Sequence, residues 1–256
     1  SSELTDSLPG AAGHGAAIVP LPGGSTNVFA RALGYPNDPV EATAVLVEAL
    51  DHRSTISAGV GMANGRAFLF HAGAGFDAAV VERVEQRGPL KRWLGHPLFV
   101  ATTLSTWLRT VDRRHPWFSI ETDDGRRLDD AHLAVALNCN PYTYLGGRPL
   151  DLAPEATLDR PLSIVALRSL ALRRLGPAAM AALRSDRGVP ETESTRHWEA
   201  VDGATLRGYR PFPFQLDGEA MAPVDVLRLD YRPCAVRLVV PPGVRPDRAT
   251  VASSPC

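Results

Sequence analysis

Apolar residues fall three or four apart in a few stretches of this chain and alternate with polar ones in many more. After Asn27, the spacing of Phe29, Ala30 and Leu33 predicts a short helix capped by Thr26 or Asn27. A second helix is predicted from Pro39 to Leu50, where Val45, Leu46 and Ala49 share a face and proline takes the first position after Asp38. Helical spacing returns from Ala78 to Gln86. It is stronger from Pro97 to Val111, where Val100, Leu104, Trp107, Leu108 and Val111 line one side. A further helix is predicted over Gly176 to Ser185.

Strand patterns dominate the rest. A short strand is predicted from Ala17 to Leu21. Thr55 to Met62 and Ala67 to Phe70 flank Asn64-Gly65, a dipeptide that readily takes the left-handed angles of a two-residue hairpin turn. Phe118 to Thr122 and Leu133 to Asn138 flank a turn at Asp124-Gly125, and Pro161 to Leu167 is another apolar stretch. His197 to Val201 and Thr205 to Tyr209, on either side of Asp202-Gly203, read as a second hairpin. Phe212 to Leu216, Val224 to Leu229 and Ala235 to Val240 add three strands. Short strands with such turns predict an antiparallel sandwich. The glycine-rich opening reads as a loop, the tail from Pro241 as mobile, and no internal repeat is present.

Composition narrows the function more than the fold. The chain has 256 residues, 45% hydrophobic and 21% charged, which allows a sizeable core. Its 27 basic and 28 acidic residues give a net charge of -1, which argues against a nucleic-acid partner. No apolar run reaches the roughly 18 to 20 residues that span a bilayer, and no signal segment opens the chain. Cys139, Cys234 and Cys256 match no metal knuckle or redox pair. That usage predicts a cytoplasmic, reducing setting, with Cys139 and Cys234 buried in strands.

Three places can carry chemistry. The first is the strand, Pro22-Gly23-Gly24 turn and helix. Gly23 and Gly24 would let backbone amides approach phosphate oxygens, and the helix start would add N–H donors and its dipole. Ser25, Thr26 and Asn27 could add hydrogen bonds, and Arg31 a fork of donors. Neither the P-loop nor the dinucleotide fingerprint is present, and a plain strand-to-helix turn explains the same residues. The second is Asp217-Gly218-Glu219, whose carboxylates could hold Mg²⁺ through water or accept a hydroxyl proton, or simply form an exposed turn. The third is Gly73-Ala74-Gly75-Phe76-Asp77, where Asp77 stands near a helix start as a cap or as a substrate group.

Taken together, these segments resemble the family of diacylglycerol kinases, sphingosine kinases and related bacterial lipid kinases. PGGSTNVFARALG is similar to the family's PGGTxNxFARxLG stretch beside the nucleotide phosphates. Phe214 to Glu219 resembles its VDGE element, His71 to Asp77 its GxGFDAxV segment, and Asn140 to Arg148 its NxxYxGGG segment. The resemblance implies ATP and Mg²⁺ as cofactors and a lipid alcohol as substrate. It implies Gly23, Gly24, Ser25, Thr26, Asn27 and Arg31 at the nucleotide. It further implies Asp77 at the lipid head group, and Asp217 and Glu219 at the catalytic acid cluster and, indirectly, the metal. Where the family runs PxAxxDDG, Arg160-Pro161 replaces the second Asp and Gly, which counts against a regulatory metal there.

The implied fold class is an α/β partial nucleotide-binding domain plus a larger antiparallel β-sandwich domain with inserted helices. Residues 1–52 would be the C-terminal part of the ATP-binding domain, 53–240 the lipid-substrate domain, and 241–256 a tail. The family's GGDGT motif is absent, so an upstream segment or a second copy is expected to cover the surface around Ala17 to Leu50. Trp93, Phe99 and Trp107 would either join the core or touch a membrane transiently. Two other functions fit: a noncatalytic lipid-binding or regulatory module, and a soluble-substrate kinase related to NAD kinases.

Overall fold

The computed structural model describes residues 16–24, 27–76, 78, 115–145, 147–171 and 188–243. The predicted helices over 78–86, 97–111 and 176–185 lie outside those residues, apart from Ala78. In chain order the elements are β1 (Ala17–Ile18), α1 (Val28–Ala32), α2 (Pro39–Asp51), β2 (Thr55–Ala63), β3 (Arg66–Phe68) and β4 (His71–Gly75). Then follow β5 (Phe118–Thr122), β6 (Arg127–Ala131), β7 (Leu133–Leu137), β8 (Thr143–Leu145) and β9 (Arg148–Leu150). The last are β10 (Leu162–Leu167), β11 (Thr195–Val201), β12 (Gly203–Leu216) and β13 (Glu219–Val239).

One large sheet runs in the order β11-β10-β7-β4-β12-β13-β2-β3, with β5 and β6 branching from β12. Its pairs are antiparallel except β1, which lies parallel to β13. The long β12–β13 hairpin is the spine. Its first strand pairs with β5 at one end and with β4 at the other, while β13 passes from β12 to β2. Prolines explain how it bends. They offer no N–H to a ladder. Register breaks fall between Arg207 and Phe212, around Pro211, and between Arg232 and Val236, around Pro233. Where two separate strands are predicted at Val224 and Ala235, a single strand therefore continues through a bulge.

Side chains from β3 to β7 and β10 to β13 meet in one core, with Phe68, Phe118, Ile120, Leu162, Ile164, Leu206, Phe212 and Leu227 fully buried. The antiparallel strands of the expectation are thus present, but as one large sheet with a common interior rather than as a sandwich of two sheets. A second cluster sits on the other face of β2 and β13. There Phe29, Leu33, Tyr35 and Ala42 of the helical segment pack on Ala58, Val60, Val236 and Leu238. Among the described residues no separate parallel sheet accompanies α1 and α2. The surface before β2 is not polar throughout: Leu21, Val40, Val47 and Leu50 are exposed.

Three local expectations are corrected. The turn at Asp124-Gly125 joins β5 to β6, whose mixed sequence RLDDA hides its alternation. The run at Leu133 instead pairs with β4 and β10. The segments around Asp202-Gly203 do not pair with each other: β11 bonds to β10, and β12 to β13 and β5. Cys139 is buried, but Cys234 is exposed, because it occupies the β13 bulge with φ 50°.

Candidate functional site

The acid-bearing bend is a two-residue hairpin turn. Asp217 and Gly218 have φ of 51° and 88°, as a turn matched to strand twist requires, and Leu216 pairs with Glu219 across it. Gln215 is wholly buried, and its Oε1 accepts the Gly218 N–H at 2.8 Å, which fixes the turn from inside. The sheet then sets this bend against the β3–β4 connection. The Asp217 N–H donates to the His71 carbonyl at 2.9 Å.

Asp217 sits in a cradle of main-chain amides. The Leu69 N–H donates to its Oδ2 at 2.7 Å, and the Phe70 and His71 N–H groups donate to its Oδ1 at 3.0 and 3.1 Å. Burial and the nearby Glu219 carboxylate raise its pKa from 3.8 to about 6, while the three amides oppose the rise. A carboxyl poised near neutrality suits proton transfer. Its two oxygens are already engaged by amides, so it is poorly placed as a direct metal ligand. Glu219 stands half-buried at the start of β13, two residues after Asp217.

Asn138 braces the same connection from behind. It is buried, and its Nδ2 donates to the carbonyls of Gly59 at 3.0 Å and Leu69 at 2.8 Å. Two main-chain strands are thereby tied beside the Asp217 cradle. His71 is structural in the way its surroundings dictate. Burial drives its pKa down to about 3, so the ring is neutral, and it packs between Phe70 and Tyr142.

The glycine turn differs from its expected design. Neither Gly23 nor Gly24 has a left-handed backbone; Asn27 does, with φ 46°. A Cβ on Gly23 would meet nothing within 4 Å, so packing inside the protein does not demand glycine there. The Gly24 N–H already donates to Asn27 Oδ1 at 2.7 Å, and Asn27 Nδ2 donates to Asn37 Oδ1 at 2.9 Å. Asn27 makes no side-chain cap bond to the helix it precedes, and α1 is only five residues long, too short for a substantial dipole. The Arg31 guanidinium lies 3.4 Å from the centre of the Tyr144 ring on β8.

The two bends are neighbours even so. Phe29, two residues after Asn27, stacks on Phe70 with ring centroids 6.4 Å apart, and the Phe70 N–H holds Asp217. Ser25, Thr26 and Asp77 lie outside the described residues. Gly75, two residues before that last acid, has φ 74°, and a Cβ there would come within 2.6 Å of the His132 carbonyl, so glycine is required. Asn138, the Phe29–Phe70 stack and the Arg31–Tyr144 stack were not legible as site features. Their only sequence signal is aromatic residues clustered at segment ends.

No model of a protein family matches the chain, and no curated protein does. Solved structures do match. One crystal structure described as a diacylglycerol kinase from Bacillus anthracis str. Sterne is 22% identical, with a TM-score of 0.68, over 94% of this chain and 75% of that one. Another, from the same organism and described likewise, is 17% identical, with a TM-score of 0.59, over 89% of this chain and 68% of that one. The fold of this chain is the fold of those structures.

Proposed function

We propose that the chain belongs to the diacylglycerol kinase-like family and forms the larger part of an enzyme that transfers the γ-phosphoryl of ATP to a lipid hydroxyl. The observation that carries this reading is the meeting of its two resembling segments. The PGGSTN turn and the Asp217-Gly218-Glu219 bend lie one aromatic contact apart, on a fold shared with diacylglycerol kinase structures. Residues 1–52 are proposed as the end of the nucleotide-binding domain and 53–240 as the lipid-substrate domain.

In this mechanism Glu219 assists removal of the proton from the attacking hydroxyl, and Asp217, held by three main-chain amides with a raised pKa, supports the same acidic cluster. Mg²⁺, when bound, neutralises charge on the phosphates, with Glu219 the residue that would hold it through water. Phosphate binding at Gly23, Gly24, Ser25, Thr26 and Asn27 requires the Asn27 side chain to release the Gly24 amide. Arg31 is proposed to serve the nucleotide side of the cleft from α1, which its stack on Tyr144 ties to β8. Asp77 is proposed to orient the lipid alcohol. Among the described residues no helix is long and apolar enough to cross a membrane; access to lipid is proposed from the inner membrane face, as the family resemblance implies. The exposed Leu21, Val40, Val47 and Leu50 support cover by an upstream segment or a second copy.

The test is incubation of the protein, with its upstream residues restored, with labelled ATP, Mg²⁺ and a panel of lipid alcohols. A phosphorylated lipid is the expected product. Folded protein that binds lipid without phosphorylating any would favour a noncatalytic lipid-binding module, which the missing GGDGT motif makes the second reading for this chain alone.

A further inference from the structure

A second chemical cluster lies away from the acid bend, at the outer edge of the sheet. Among the described residues strand β11 is the terminal strand of the sheet path. Trp198 points into the main core, which leaves its neighbours His197 and Glu199 on the outer face. His197 pairs with Val165 of β10, and paired residues share a face. That same face of Val165, with Val135 and Leu137, is covered by Ala153 and Ala156 of the segment after β9. Glu155 stands between those two alanines, and the packing delivers it to His197.

The contact is close. His197 Nε2 lies 2.7 Å from Glu155 Oε1, with both side chains largely shielded from water. One ligand atom from each of Glu155, His197 and Glu199 lies within 4.8 Å of the others. Ser163 also hydrogen-bonds the Glu155 carboxylate, and Arg126 Nη1 donates to the backbone carbonyl of Glu199 at 3.2 Å, so the cluster is the three side chains beside that cation. Three donors of mixed imidazole and carboxylate type, closed on the protein side and open at Glu199, match the needs of a zinc-like ion better than those of Mg²⁺, which favours oxygen alone.

We propose that Glu155, His197 and Glu199 form a binding site for a divalent transition-metal ion of the zinc class, which clips the segment 151–161 to the edge strand β11. The ion takes the place of the proton between Glu155 and His197, draws in Glu199 as third ligand, and keeps one position for water. This site is separate from the proposed phosphotransfer centre and does not depend on that function.

Zn²⁺ alone, titrated into the full chain by calorimetry with excess Mg²⁺ in the buffer, is the test. One saturable equivalent is expected, with a raised melting temperature. Loss of an outer-sphere partner weakens metal sites by about tenfold to a hundredfold, so Glu199→Gln, which removes a direct ligand at an exposed position, should cost at least about tenfold. His197→Gln should cost more. Zn²⁺ should also perturb the His197 ring resonances in the unaltered protein, a readout that needs no variant. Absence of saturable binding, equal binding by Glu199→Gln and His197→Gln, or displacement of Zn²⁺ by Mg²⁺ at comparable concentration would each overturn the proposal.

Discussion

Replacing Asp217 by asparagine gives a measurable signature of its seat. In the folded protein the carboxyl titrates at about 6 instead of 3.8, because its half-buried seat strips it of water and the Glu219 charge lies nearby. Between those values the native state holds a proton that the unfolded chain has released. Stability contributed by this group is therefore full below the unfolded value and is lost as pH rises through the folded one. Each tenfold change in proton affinity is worth about 1.4 kcal/mol, so the whole step is about 3 kcal/mol. The carboxamide of the Asp217→Asn variant cannot titrate. It also turns an N–H₂ group toward one of the three main-chain donors, but that cost is constant with pH. The assay is urea unfolding of both proteins from about pH 3.5 to about pH 7.5. The unaltered protein should lose about 3 kcal/mol relative to Asp217→Asn across the range. Other carboxylates, such as Asp123 and Asp124, titrate alike in both and cancel. In Glu219→Gln the step should shrink, because a like charge has gone. A difference curve flat to within about 0.5 kcal/mol, or one sloping the other way, would refute the account of the seat.

Glu219→Gln should also lower phosphotransfer by about a hundredfold or more in the restored enzyme while far-ultraviolet circular dichroism stays unchanged; undiminished turnover would remove Glu219 from the mechanism. Gly61→Ala drives a Cβ into the Phe68 ring, so thermal unfolding should show a loss of about 1–3 kcal/mol, and a neutral result would mean that the core there is loose. Asn138→Ala leaves the Gly59 and Leu69 carbonyls without their donor, and chemical denaturation should report a loss of about 2 kcal/mol or more.

The strands of the sheet were readable wherever alternation met a left-handed turn. Asn64-Gly65 and Asp217-Gly218 both close hairpins, since their φ values of 47° and 82°, and of 51° and 88°, are those the dipeptides favour. The same rule misled at Asp202-Gly203, where the chain changes sheet neighbours instead of folding back; pairing is settled by the whole sheet, not by the turn. At Pro233 a strand end was expected, yet a bulge with Cys234 at φ 50° lets β13 continue. The acids at the bend were visible as residues, but the cradle was not. Its donors are the amides of Leu69, Phe70 and His71, 146 to 148 positions away, and main-chain groups leave no letter in a sequence. At the glycine turn the residue types announced flexible glycines, while the left-handed backbone belongs to Asn27.

An acid gripped by peptide groups rather than by side chains imposes little demand on what those side chains are. Leu69 and Phe70 can drift to other apolar residues, reshaping the wall that a ligand would meet, without loosening the carboxyl they hold. Such a design separates the part that must stay constant from the part that selection can tune, and it fits a scaffold that persists at about one-fifth identity.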